Sequence, residues 1–222
     1  MSEILERKIV SLKEMVSNLV SIVSDQIEKS FIALKDRNKE LCKEIIEKDD
    51  YIDNYSMDLE RECLETIATQ NPKAEHLRII SAILFANIDL ERMADHCVDI
   101  AEITLTIADE PLLKPLIDLP RMKDICIKML VDSLKAFLSR NLELARKSID
   151  EDDKIDDLND QIFRELLTYM LEDPRNIKRA NALLQISQHY ERIGDHATNL
   201  CERAIYAYEG AMIKTNPHKP RY

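Results

Sequence analysis

Ile9, Leu12, Val16, Leu19, Val23, Ile27, Phe31 and Leu34 step by three or four without a break. That spacing returns to one face of an α-helix, so the stretch reads as a single long amphipathic helix. Only two glycines, Gly194 and Gly210, occur in 222 residues, and there is no tryptophan. Sheet proteins place glycine at turns and bulges, so the scarcity favours long helices joined by few loops. The chain is 45% hydrophobic, enough for a packed core, and Leu, Ile, Glu, Lys and Ala are all abundant in it, as in helical proteins.

Prolines punctuate the pattern. Pro72 follows Asn71 and Pro174 follows Asp173, and each pair reads as a helix N-cap with proline at the first helical position. Pro111, Pro115 and Pro120 mark a central break, while Pro217 and Pro220 sit in a polar tail expected to fray. Between these points helices are expected over the first stretch and over about residues 39–68, 73–108, 122–139, 142–171 and 175–213. In the second of them Leu41, Ile45, Ile52, Leu59 and Cys63 are expected to face inward.

The six helices fall into two sets of three that resemble each other in sequence. IEKDDYID at 46–53 matches IDEDDKID at 149–156 in five of eight positions, and ERMADHCVDIAE at 91–102 matches ERIGDHATNLCE at 191–202 in five of twelve. The offsets are 103 and 100 residues, so the halves differ by a small change in loop length. The expected fold is therefore all-α: two pseudo-symmetric three-helix bundles, residues 1–110 and 111–222.

The third helix carries acids where its apolar stripe should continue. Its three-four stepping runs Leu77, Leu84, Ile88, Glu91, Asp95, Val98, Glu102, Leu105, and the sixth helix repeats this as Leu184, Glu191, Asp195, Thr198, Glu202, Ile205. At about 100° per residue Glu91 and Asp95 lie roughly 40° apart, and Glu102 roughly 20° from Glu91. The second helix of each repeat adds a pair one turn apart, Asp49/Asp53 and Asp152/Asp156. If helices two and three of a repeat lie side by side, each half collects four carboxylates. Ionised carboxylates on a seam call for a counter-charge, and an all-oxygen shell suits hard cations such as Mg²⁺, Mn²⁺, Ca²⁺ or iron better than zinc. The competing reading is a solvated acidic face, or pairing with Arg92 and Arg192. His96 and His196 follow the motif aspartates and point about 100° off the carboxylate face, which reads as exposed or hydrogen-bonded histidine. Neither a Glu-x-x-His di-iron motif, nor His-Glu-x-x-His, nor a P-loop, nor Gly-x-Ser-x-Gly occurs.

Lys and Arg number 31 against 42 Asp and Glu, a net charge of −11, which disfavours nucleic acid as a partner. Five cysteines at 42, 63, 97, 126 and 201, with no C-x-x-C, read as reduced, buried thiols of a cytoplasmic protein. MSEILERK lacks the pattern of a signal peptide, and uncharged runs such as 15–24 and 79–88 fall short of the ~18–20 residues of a membrane span.

The repeated motifs resemble those of the PhoU family, regulators that accompany the high-affinity phosphate transporter. ERIGDHATNLCE at 191–202, DDYID at 49–53, DDKID at 152–156 and LTYMLEDPR at 167–175 carry the resemblance, which runs from about residue 5 to 210. It implies two three-helix bundles, a homodimer, and metal sites holding iron, zinc or other ions, among which Mn or Mg are also considered. Carried onto this chain, those sites fall at Asp49, Asp53, Glu91, Asp95, Asp152, Asp156, Glu191 and Asp195. It further implies a non-enzymatic cytoplasmic adaptor between the transporter's ATPase subunit and a sensor histidine kinase, holding the phosphate-starvation response off. This chain departs from the family pattern at Met93-Ala94, where Ile-Gly is usual, and at Asp99, where Asn is usual. Two other readings stand beside this one. The carboxylates could serve a metal-dependent helical-bundle enzyme or metal store, or the acidic stripes could be a docking face for basic helices.

Overall fold

The structure, a computed structural model, describes residues 3–211. The prolines at 217 and 220, and the last residues of the expected sixth helix, lie outside the described residues.

The long first helix forms as its spacing predicts: α1 spans Glu3–Asp36 and buries Ile9 through Leu34 on one face. The second expected helix is instead two, α2 (Lys39–Glu47) and α3 (Asp49–Gln70). Asn38 caps α2 by accepting from the Leu41 N–H at 3.1 Å, and Lys48, at ψ −12°, closes α2 as α3 begins. The fifth expected helix breaks at the matching place, into α6 (Leu142–Ile149) and α7 (Asp152–Glu172), with Asn141 as the cap of α6. Asp49 and Asp152 therefore stand in the first turns of their helices, where unpaired N–H groups and the helix dipole favour negative charge.

α4 covers Glu75–Ile107, α5 Asp118–Ser139 and α8 Ile177–Glu209, the last entered through a 3₁₀ turn, Pro174–Asn176, capped by Asp173 as expected. Asn71 is not the N-cap of α4. It ends α3 in the left-handed region at φ 44°, a conformation asparagine tolerates better than most residues. α5 starts four residues earlier than expected because Pro120 fits its first turn, where a missing N–H costs nothing. Gly210 terminates α8 at φ 73°, its N–H donating to the Tyr206 carbonyl at 3.0 Å.

α4 and α8, the third helices of the two repeats, pack against each other at the centre. α1, α2 and α3 surround α4, while α5, α6 and α7 surround α8. All five cysteines are free and buried. Because α4 has neighbours on several sides, its buried arc is wider than one three-four stripe and is centred elsewhere. Ile80, Ile83, Leu90, Met93, Cys97 and Ile100 are inside, whereas Leu77 and Ile88, placed inward by the stepping, are 39% and 52% exposed. The acidic stripe is thus a half-buried flank of the core.

Candidate metal centre

In the first repeat α3 lies along α4, and carboxylate oxygens of Asp49, Asp53 and Asp95 come within 4.8 Å of one another. Asp49 is pushed up to about 6, by burial first and then by the charges of Asp53 and Asp95. Glu91 and Asp95 are also raised, burial leading in both. Arg92 supplies part of the counter-charge, donating to Asp95 at 3.1 Å and standing 3.6 Å from Glu91. It leaves Asp49 unanswered: the buried Oδ1 of Asp49 has no hydrogen-bond partner. An orphaned buried carboxylate oxygen among mutually repelling neighbours is what a hard-cation site presents before its ion binds.

In the second repeat Glu191 is pushed up to about 7 by burial, then by Asp195, Asp156 and Asp152, with Arg192 opposing. The charges of the other three expected residues therefore all reach Glu191. Their ligand atoms are more spread out, since among the described residues only two triads fall within 4.8 Å and neither belongs to this set. α7 is held tight against α8 at Gly194, where an added Cβ would stand 2.7 Å from Ile155 Cδ1 and 3.3 Å from Asp152 Oδ1. The first repeat has buried Ala94 there. Gly194→Ala is expected to be close to neutral, because the flexible tip of Ile155 and, by less, the Asp152 carboxylate must move while alanine favours helix by about 1 kcal/mol. Gly194→Leu is expected to destabilise by about 1–3 kcal/mol by forcing α7 outward, as a urea titration would show. An unchanged midpoint for the leucine variant would contradict this packing.

Glu102, on the same stripe, is exposed. The histidines, as expected, lie off the carboxylate face, and they line the crossing of α4 and α8. His196 Nδ1 and Asn199 Nδ2 both contact Asp89 Oδ1 at 2.9 Å. At the pseudo-symmetric position His96 Nδ1 and His189 Nδ1 are 3.2 Å apart, and Asp99 Oδ2 is 3.6 and 3.5 Å from them. Burial leads in lowering both imidazoles, His96 to about 4, so both are neutral near pH 7. His189 was not singled out from the sequence because its counterpart, Asp89, differs in type; the 100-residue offset was the signal available.

Two helical repeats with an acid group on the third helix of each define a class of two-fold-repeated, carboxylate-bearing helical bundles. The PhoU domain matches the chain twice, at residues 16–104 and 119–204. The phosphate-specific transport system accessory protein PhoU homolog of Aquifex aeolicus is 44% identical over 208 residues, covering 94% of each chain. That of Deinococcus radiodurans is 35% identical over 211 residues, covering 95% of this chain and 99% of its own. The crystal structure of the phosphate transport system regulatory protein PhoU from Streptococcus pneumoniae superposes with a TM-score of 0.89 at 27% identity, over 95% of this chain and 100% of that one. PhoU from Pseudomonas aeruginosa gives 0.88 at 28%, over 93% and 99%. The chain belongs to the PhoU family.

Proposed function

We propose that this protein is a non-enzymatic accessory regulator of phosphate uptake and phosphate-starvation signalling. It acts in the cytoplasm as a homodimeric adaptor between the ATPase subunit of a phosphate transporter and a sensor histidine kinase, keeping the starvation response off when phosphate is plentiful. The observation that carries the reading is the near full-length match to phosphate-specific transport system accessory proteins. That match favours a regulator over the enzyme or metal store. Among the described residues no helix is long and apolar enough to cross a membrane, which agrees with docking onto a transporter rather than forming part of its channel.

The carboxylate groups are the proposed regulatory element. Asp49, Asp53, Glu91 and Asp95 would hold a cation in one repeat, and Asp152, Asp156, Glu191 and Asp195 in the other. Iron, zinc, Mn and Mg are the candidate ions, and oxygen-only donors favour the harder ones. The ion would supply the positive charge that lets these groups stay ionised together. Because each group joins two helices, α3 with α4 and α7 with α8, its charge state biases how the repeat is held and what an incoming partner meets.

Deletion of the gene is expected to leave phosphate-starvation genes expressed in phosphate-rich medium, with repression restored by the wild-type chain. Affinity purification of that chain is expected to recover the ATPase subunit and the kinase. Normal repression in the deletion strain, with neither protein recovered, would sink the reading.

A further inference from the structure

The crossing of α4 and α8 carries two polar clusters related by the internal repeat, and they differ at two of their three positions. Around Asp89 one carboxylate oxygen accepts from both His196 and Asn199, so a buried acid is met by two donors. Around His189 the pattern is inverted: two imidazole nitrogens and one carboxylate, all able to donate electron pairs, converge on a common centre. The triangle with sides 3.2, 3.5 and 3.6 Å has its equidistant point about 2.0 Å from each atom, the length of a Zn–N or Zn–O bond.

We propose that His96, His189 and Asp99 form a site for a borderline divalent transition-metal cation, with zinc as the reference ion, that clamps the first repeat to the second. The donor set, two imidazoles and a carboxylate, differs from the oxygen-only carboxylate groups and selects a softer ion. His96 and Asp99 come from α4 and His189 from α8, so the ion spans the contact on which the two repeats rest. The His96 and His189 side chains are 16% and 22% exposed and Asp99 47%, so an ion can enter from the Asp99 side, where water completes the shell. The counterpart cluster has Asn199 and Asp89 where this one has Asp99 and His189, so it offers one imidazole rather than two, and its carboxylate is already met by two donors.

The test uses the full chain, stripped with chelator and titrated with Zn²⁺ while melting temperature is followed. Wild type is expected to take up one zinc at this site and to gain about 5–10 °C at free zinc roughly 100-fold above Kd. His189→Ala and Asp99→Asn are expected to weaken that binding by at least about 100-fold, since loss of even an outer-shell partner costs about 10–100-fold. Glu172→Gln, at the exposed C-terminal end of α7 and outside both metal groups, should keep it. X-ray absorption at the zinc edge of the wild type reads the ligands without any variant and should show imidazole scattering. Zinc held by oxygen only, or His189→Ala binding as tightly as wild type, would overturn the proposal.

Discussion

Replacing Tyr190 by alanine is expected to lower the unfolding free energy by about 3–5 kcal/mol, the range for emptying a large aromatic from a core. Tyr190 has no exposed surface and is among the largest fully buried side chains. Its hydroxyl lies 3.0 Å from that of Ser30 on α1. The Ser30 hydrogen is committed to the Ile27 carbonyl at 2.9 Å, so the tyrosine is the donor. Its own backbone carbonyl accepts from the Cys126 thiol of α5 at 3.2 Å. One residue thus ties α8 to the first helix of each repeat, immediately before Glu191. Tyr190→Phe keeps the ring and loses only the hydroxyl contact, so a cost of about 1–2 kcal/mol is expected. Urea denaturation with both variants separates the two contributions. A Tyr190→Ala protein within 1 kcal/mol of wild type would show that α1, α5 and α8 do not rest on this side chain.

The second large effect is a dependence of stability on pH in metal-free buffer. Glu191 has a folded pKa of about 7 against a usual value of 4.5, and Asp49 about 6 against 3.8. Both are raised, so each favours the fold when protonated. That contribution is complete below the unfolded value and is lost as pH rises through the folded one. Metal-free protein should therefore lose stability from about pH 4 up to about pH 7 on account of these groups. After allowance for solvent screening, Glu191 accounts for roughly 1–2 kcal/mol of the loss. Glu191→Gln removes the upper part of the slope and should raise the melting temperature near pH 8 by about 2–6 °C, with helical circular dichroism unchanged. Extending the change to Glu91, Asp95 and Asp195 should add to the gain. A loss of helix in these variants under the same conditions would mean that the carboxylates hold the fold together directly.

How much of this was legible beforehand differs between elements. α1 and the repeat were, because helical period and self-similarity are local properties of the string. The breaks at Lys48 and at Asp150–Glu151 were not, since Lys and Glu are good helix formers, a single Asp is no strong breaker, and neither glycine nor proline marks the place. Those hidden breaks put Asp49 and Asp152 at helix starts. The eight carboxylates were legible as pairs one turn apart, and the charges of neighbouring acids raise Asp49 and Glu91 in the first repeat and Glu191 in the second. Their depth was misjudged, because one stripe cannot describe a helix with four neighbours, and Leu77 and Ile88 face outward as a result. His189 joins His96 only through the crossing of α4 and α8, a long-range contact that no spacing rule encodes.

The most direct test is elemental mass spectrometry on untagged protein, comparing wild type with Glu91→Gln/Asp95→Asn. Stoichiometric metal in the wild type that falls in the double variant is the predicted result, and places an ion among Asp49, Asp53, Glu91 and Asp95. Metal-free wild type that stays so after exposure to Mg²⁺, Mn²⁺ and Fe²⁺, or equal metal in both proteins, would contradict it and leave the acidic flank as a docking surface.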